Sequence, residues 1–259
     1  MPQLKLGIHL PSLRLPFKKA LLTAAEFGAD AVEIDARTDV RPEELSGTGL
    51  RQVRKMLEDL NLKVAAVRFQ TRRGYNVVDQ LAERVEATKA AMRMAYDLGA
   101  SAVVNHIGRV PGEPEGTEWE LLVQVLTELG QFGQRIGATL AAKTGSESPQ
   151  DLKRLIDALP EGFLAVDLDP GNLLINGFSA NEGAEVLGQS VRHVHARDGV
   201  RDLAQGRGIE VAFGRGAVDF QTIIATLAQH DYRGYYTLER GGENSRAEIA
   251  QGVMFLKRI

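Results

Sequence analysis

The feature that most constrains the fold of this chain is a regular alternation between short strand-like runs and longer helical runs. Each strand-like run is a short apolar stretch, and the stretch after it carries apolar residues at helical spacing. Eight such pairs follow one another along the 259 residues. The predicted strands cover residues 5–10, 31–34, 62–69, 101–107, 138–143, 163–168, 191–196 and 234–238. The predicted helices cover residues 16–27, 50–60, 78–98, 118–136, 149–159, 181–187, 220–229 and 247–256.

This order of elements indicates the fold class. Strands that alternate with helices form a parallel sheet through right-handed crossovers. Eight such units in about 250 residues are the size of a closed barrel. An open doubly wound sheet would carry a glycine-rich phosphate turn after its first strand, and the segment IHLPSLRLP contains no glycine. Because no linker interrupts the pattern, we predict an α/β fold, a (β/α)8 TIM barrel, in one domain over residues 1–259.

Composition excludes several classes of protein. The formal net charge is -3 and no long run of one sign occurs, so the chain lacks the basic face that binds nucleic acid. The absence of cysteine excludes disulfides and thiolate metal sites. The first residues, MPQLKLGIHLPSL, lack the apolar segment of a signal peptide, and no apolar run reaches the length of a membrane span. We therefore expect a cytoplasmic protein with no nucleic-acid partner and no membrane partner.

Polar side chains collect where the predicted strands end. In a barrel of this kind, the carboxyl ends of the strands form the face that carries the active site. Carboxylates and imidazoles together are ligands for a divalent ion such as Mn²⁺, Mg²⁺, Co²⁺ or Zn²⁺. Such an ion would polarise a carbonyl or hydroxyl oxygen of a substrate. The side chains at these positions are His9, Glu33, Asp35, Arg68, His106, Lys143, Asp169, His195, Arg197, Asp198, Glu239 and Arg240.

Several stretches of the sequence carry a family likeness. They are LGIHLPSL, FGADAVEI, DLDPGNL, HVHARD and GRGAVDFQTIIATLAQHDYRGYYTLE. The last stretch is the most specific, and its pattern consists of Gly214, Gly216, Val218, Asp219, Phe220, Tyr232, Gly234 and Glu239. Through these stretches the chain resembles the xylose isomerase-like TIM barrel superfamily, in the branch of sugar phosphate isomerases and epimerases. The resemblance covers essentially the whole chain.

The resemblance implies a divalent metal ion and a set of ligands for it. Similar epimerases and isomerases hold the ion with Glu, Asp, His and Glu from the fifth to the eighth strand. By position these ligands become Lys143, Asp169, His195 and Glu239, so three of the four match. In the related ketose epimerases, the two glutamates also transfer protons on opposite faces of the carbon next to the carbonyl. The resemblance therefore implies metal binding by Asp169, His195 and Glu239, and catalytic roles for Glu239 and Lys143.

Lys143 departs from the family pattern and leaves three alternatives open. An ammonium a few ångströms from a divalent cation is strongly repelled, so Lys143 is either neutral beside the metal or the metal is absent. Without the metal, Lys143 could pair with Glu239 or Asp169. A lysine of lowered pKa could instead serve as a general base or form a Schiff base with a carbonyl substrate. Glu147, in the segment TGSES, is a spare carboxylate near this position.

The resemblance also implies a carbohydrate substrate. Asn172 stands where many relatives carry a histidine, and it could hydrogen-bond a sugar hydroxyl. His106, Arg197 and Arg68 are predicted to contact hydroxyl or phosphate groups of the same substrate. We predict a sugar or sugar phosphate isomerase or epimerase that transfers a proton next to a carbonyl group.

Other functions remain open beside this one. The first is a metal-free relative that binds a sugar without catalysis, and Lys143 is the residue that discriminates it. The second is a dehydratase or lyase that uses the same enolate chemistry and then expels a leaving group. An apurinic endonuclease is disfavoured, because the chain has five histidines, Asn172 and an acidic net charge. Barrels of this branch are often dimers or tetramers, so a homo-oligomer is also left open.

Overall fold

The computed structural model describes residues 4–201 and 207–259. Eight parallel strands close into a barrel in the order β1-β10-β7-β6-β5-β4-β3-β2, which confirms the predicted (β/α)8 TIM barrel. The barrel strands are β1 (Leu6–His9), β2 (Ala31–Asp35), β3 (Lys63–Arg68), β4 (Ala102–Asn105), β5 (Thr139–Lys143), β6 (Ala165–Leu168), β7 (Val191–Ala196) and β10 (Tyr236–Leu238).

Helices surround the barrel and connect its strands. They are α1 (Phe17–Glu26), α2 (Gly47–Asp59), α3 (Leu81–Asp97), α4 (Thr117–Ile136), α5 (Pro149–Asp157), α6 (Pro170–Ile175), α7 (Ala180–Leu187), α8 (Phe220–Gln229) and α9 (Ser245–Leu256). Side chains cap several of them: Ser46, Ser148, Ser179 and Asp219 each accept a hydrogen bond from a backbone N–H in the first turn. Among the described helices, none is long and apolar enough to cross a bilayer.

Two short elements were not expected from the sequence. Residues 170–175 form helix α6, because the side chain of Asp169 accepts a hydrogen bond from the N–H of Asn172 and so caps a helix instead of starting a plain turn. The predicted elements leave residues 197–219 as a loop between the seventh strand and the helix at 220–229, but this segment contains an antiparallel hairpin of β8 (Asp198–Val200) and β9 (Ile209–Val211). Residues 202–206 of that segment lie outside the described residues.

The barrel strands are buried almost throughout, because helices cover their outer face and the barrel interior covers the other. Outward-facing residues belong to one large apolar core with the helices. A second, small apolar cluster consists of Ala66, Ala102, Val104, Ala141 and Ala165. These residues alternate along the strands with the outward-facing ones, which assigns them to the barrel interior.

The carboxyl-terminal half of the barrel interior is polar. Lys143 and Asp167 lie two residues beyond Ala141 and Ala165 of the small cluster. The buried charged or polar side chains of the barrel strands include Glu33, Lys143, Asp167, His193, His195 and Thr237. Ionisable groups are stable in such a place only when they are paired and hydrogen-bonded. The sequence therefore builds a charged layer above an alanine-rich layer, and this charged layer is the floor of the site.

Asp198 fixes the segment between the hairpin and α8. Its carboxylate accepts hydrogen bonds from the backbone N–H groups of Gly199, Gly214 and Gly216, each at 2.9 Å. Gly214 has a φ of 75°, which favours glycine. A Cβ on Gly216 would overlap the Asp198 carboxylate. The glycines of the GRGAVDF motif thus have a structural cause, since they let the backbone wrap a buried carboxylate.

Candidate active site at the carboxyl ends of the strands

A cavity of about 400 Å³ opens at the carboxyl ends of the barrel strands. This volume suits a small polar molecule. Its walls combine residues from the ends of β3, β4, β5 and β7, from α6, from the segment just before β9 and from the residue that follows β10. The lining residues are Arg68, Gln70, His106, Lys143, Gly145, Ser146, Asn172, Asn176, Arg197, Arg207 and Glu239.

Lys143 lies at the floor of this cavity and is tied to two carboxylates. Its Nζ atom is 2.5 Å from Oε2 of Glu239 and 3.2 Å from Oδ2 of Asp169. Burial by itself would lower the pKa of Lys143, but Glu239 and Asp169 raise it above its ordinary value. Lys143 is therefore an ammonium in an ion pair, which is the second of the three alternatives open at this position. An ammonium has three N–H donors, so one remains for a ligand.

Glu239, just after β10, is held by cations on two sides. Besides Lys143, the guanidinium of Arg68 donates to Oε1 of Glu239 at 3.0 Å. Burial would raise the pKa of Glu239, but Lys143, the imidazole of His195 and other cations hold it well below its ordinary range. A carboxylate stabilised in this way is a weak proton acceptor.

Asp169 connects the floor to the hairpin. Its Oδ1 caps α6, while Oδ2 accepts from Lys143 and, at 3.0 Å, from the guanidinium of Arg197. The other side of Arg197 pairs with Glu210 of β9 at 3.0 Å. Glu210 also pairs with Arg240 at 3.1 Å. This chain of ion pairs fixes Arg197 in the cavity wall and joins β5, α6 and the hairpin.

His195 lies below the cavity and has a carboxylate at each ring nitrogen. Nδ1 is 2.6 Å from Asp167 and Nε2 is 2.6 Å from Glu33. Burial would lower the pKa of His195, but Asp167 and Glu33 raise it to about 10. His193 bonds the other oxygen of Asp167 at 2.9 Å and Thr237 at 2.9 Å. Asp167 thus serves both histidines, and its own pKa is held far below the ordinary range despite its burial.

His106 differs in its hydrogen bonding from the other titratable residues of the cavity wall. It is half-buried, and no hydrogen bond of its ring to another described residue is formed. Burial lowers the pKa of His106, and the charges of Lys143 and Arg68 lower it further. It is therefore a neutral imidazole at neutral pH, facing the cavity beside an ammonium and a guanidinium.

The structure brings the sequence-predicted site residues together. Seven of them meet at or directly behind the cavity: Arg68, His106, Lys143, Asp169, Asn172, Arg197 and Glu239. His195 lies beneath them, with Nε2 3.7 Å from Oε2 of Glu239. Glu147 does not join the group, since it is buried and absent from the cavity lining.

Three charged residues of the site, Asp167, Glu210 and Arg207, were not singled out from the sequence. Asp167 could have been found from spacing. It lies on β6, and His193 and His195 lie two residues apart on the neighbouring strand β7, so all three side chains point into the barrel interior. Glu210 and Arg207 belong to the segment that was predicted as a loop. Their position depends on the hairpin, and the sequence of that segment carries no strong hairpin signal.

The resemblance implied a divalent ion, and the donor atoms have the spacing for one. One ligand atom each from Asp169, His195 and Glu239 lies within 4.8 Å of the others, and a second such group is Glu33, His193 and His195. These ligand atoms, however, are already bonded to other groups of the protein, which does not fit a bound ion. The Lys143 ammonium lies between Asp169 and Glu239, and both ring nitrogens of each histidine already have hydrogen-bond partners. A cation bound by Asp169, His195 and Glu239 would have to displace Lys143.

Comparisons with known proteins agree with the barrel. An inosose dehydratase of Bacillus thuringiensis (strain Al Hakam) is 24% identical over 220 residues, covering 72% of this chain and 72% of the relative. Among solved structures, a xylose isomerase domain protein from Planctomyces limnophilus superposes with a TM-score of 0.88 at 22% identity, covering 99% of this chain and 97% of that one.

Two further structures carry ligands. A xylose isomerase-like TIM barrel protein from Mycobacterium smegmatis, in complex with magnesium, has a TM-score of 0.78 at 18% identity and covers 99% of this chain and 96% of its own. A D-allulose 3-epimerase from Methylomonas sp., in complex with D-allulose, has a TM-score of 0.76 at 19% identity, with coverages of 99% and 97%. The family model for the xylose isomerase-like TIM barrel matches residues 21–259, and the chain belongs to this family.

Proposed function

We propose that the chain acts on a carbohydrate or a carbohydrate-like compound and transfers a proton at the carbon next to its carbonyl group, with the Lys143 ammonium in place of the divalent ion that the family resemblance implies. One observation carries this proposal: Lys143 is paired with Asp169 and Glu239 at the floor of a polar cavity of about 400 Å³. The similarity to an inosose dehydratase and to a D-allulose 3-epimerase supports the substrate class.

In this proposal Lys143 stabilises negative charge. Removal of a proton next to a carbonyl turns the carbonyl oxygen into an enolate oxygen. The third N–H of the Lys143 ammonium can donate to that oxygen, and the pairing with Glu239 and Asp169 holds the ammonium in place before the reaction. Such fixed charge is effective because it needs no reorganisation during the step.

His106 is the group best suited to accept the proton. Protonation of Glu239 would remove the negative charge that Lys143 and Arg68 stabilise, so it costs free energy. His106 is neutral, faces the cavity and has no competing hydrogen bond to a described residue. The imidazolium formed at His106 can return the proton to the neighbouring carbon on the same face of the enolate, which gives isomerisation. If a β-hydroxyl takes the proton and departs as water instead, the outcome is dehydration.

The experiment follows exchange of the substrate proton for solvent deuterium by NMR, with a set of ketoses and inososes, in the presence of a chelator. We expect exchange to resist the chelator. Loss of the ammonium in Lys143→Met and loss of the imidazole in His106→Phe should each slow it by at least about 100-fold. The matched control is Lys153→Met, an exposed lysine on α5 that pairs with Asp157.

Metal analysis accompanies the kinetic measurement. We expect the purified chain to carry no stoichiometric divalent ion, and Lys143→Glu to bind about one per chain, since it supplies a carboxylate as the fourth ligand beside Asp169, His195 and Glu239. Exchange that the chelator abolishes, or that Lys143→Met leaves unchanged, would contradict the proposal. Ligand binding without exchange for every compound would favour a sugar-binding relative without catalysis, a second candidate that the tight Lys143–Glu239 pair also supports.

A further inference from the structure

The charged groups that face the cavity are mostly cations. Arg68, Lys143, Arg197 and Arg207 line it, whereas Glu239 is the one carboxylate among the described lining residues. The carboxylates that balance these cations lie behind the wall. Asp169, for example, exposes none of its side chain. A ligand therefore meets positive charge first.

The side-chain oxygens of Glu239 and Asn172 in the cavity wall already accept hydrogen bonds. Both oxygens of Glu239 accept charged hydrogen bonds, from Arg68 at 3.0 Å and from Lys143 at 2.5 Å. The side-chain oxygen of Asn172 accepts from Asn176 at 3.1 Å. Each hydroxyl of a neutral sugar has one proton to donate and needs an acceptor for it. The charged part of this cavity offers few free acceptors to such a group.

Donor capacity, by contrast, remains open. The guanidinium of Arg68 uses Nη1 for Glu239 and His9. Its Nε lies 3.9 Å from Asp35, and its Nη2 makes no hydrogen bond to a described residue. Lys143 uses two of its three N–H groups. Arg197 uses one N–H of each of its three nitrogens, which leaves two of five donors. An anion that accepts from these open donors would form charge-assisted hydrogen bonds with them.

We infer that the ligand of this cavity carries an anionic group, a carboxylate or a phosphate, which the guanidinium groups of Arg68, Arg197 and Arg207 bind. This inference rests on the proposed carbohydrate class and narrows it to acidic or phosphorylated members. Guanidinium groups bind both kinds of oxyanion with paired hydrogen bonds. Two of the three arginines follow β7, where barrels often form an anion site.

The test compares three open-chain polyols of the same length by calorimetric titration at constant ionic strength. The probes are sorbitol, gluconate and sorbitol 6-phosphate, so the two anionic arms distinguish a carboxylate site from a phosphate site. We expect at least one anion to bind about tenfold or more tightly than sorbitol, with affinity that falls as salt is added. Binding is measured without turnover, so this result is independent of the proton-transfer proposal.

Arg207→Gln supplies the variant, because Arg207 is exposed and its loss does not disturb the buried ion pairs. It should weaken the preferred anion about five- to tenfold and leave sorbitol unchanged. The matched control is Arg51→Gln, an exposed arginine on the outer face of α2. Equal affinities for sorbitol and both anions, no detectable binding of any of the three, or equal effects of the two variants would overturn the inference.

Discussion

Glu147 should make this protein less stable as the pH rises, and Glu147→Gln should remove the effect. The carboxyl group is 6% exposed, and its Oε2 atom has no hydrogen-bond partner among the described residues. Burial raises the pKa of Glu147 from 4.5 to about 7. The neighbouring Asp151 adds to the rise, while the backbone of Val110 and the charge of Arg109 oppose it.

The sign of the effect follows from proton binding. Between pH 4.5 and about 7 the unfolded chain has released this proton and the folded chain keeps it. The folded state binds more protons in that window, so the free energy of unfolding falls as pH rises through it. At about 1.4 kcal/mol for each pH unit, the full loss above the window is about 3 kcal/mol. This figure is an upper limit, because entry of water would reduce it.

The assay is thermal unfolding of the wild type and Glu147→Gln from pH 4.5 to 8. Glutamine resembles the protonated acid, so the two midpoints should agree at the low end. At pH 8 the variant should unfold about 6–12 °C higher, at roughly 2–4 °C for each kcal/mol in a chain of about this size. The exposed Glu161→Gln is the control and should shift the midpoint little at any pH. A difference between wild type and Glu147→Gln that does not change with pH would refute the reasoning.

Two further substitutions test the supports around the site. Asp198→Asn places an amide N–H₂ against the backbone N–H groups of Gly214 and Gly216, so it should cost about 2–3 kcal/mol of unfolding free energy, measured by urea denaturation. A loss below about 0.5 kcal/mol would contradict this role of Asp198. Tyr75→Phe leaves the buried Nδ2 of Asn105 without its acceptor at 2.7 Å and should cost about 1–3 kcal/mol. Unchanged stability of Tyr75→Phe would show that the acceptor is replaced by water.

The barrel could be predicted because its signal is repeated. A single strand-like or helical run is weak evidence for a fold, but eight repeats of the strand–helix pattern leave few alternative folds. The positions of site residues followed for the same reason, since the carboxyl ends of parallel strands meet at one face. Asp169, Glu239 and Lys143 were therefore correctly grouped before any distance was known.

What the sequence left open depends on pairings between distant residues. Lys143 had three alternatives, and only the positions of Asp169 and Glu239 around its Nζ atom favour the ion pair. Asp167 was overlooked because its role comes from two histidines on the neighbouring strand. The hairpin and α6 were missed because both are short, and local patterns of three to six residues do not distinguish such elements from turns.

The ion pair of Lys143 also changes what the site requires from its surroundings. A metal ion is supplied by diffusion, so the fraction of sites that hold one follows the concentration of free ion and falls when a chelator is present. A lysine is covalently attached to the strand that carries it. Its local concentration at Asp169 and Glu239 is set by the fold and cannot be diluted or chelated away. The balance of charge between Lys143 and the carboxylates of Asp169 and Glu239 is therefore a property of the folded chain itself.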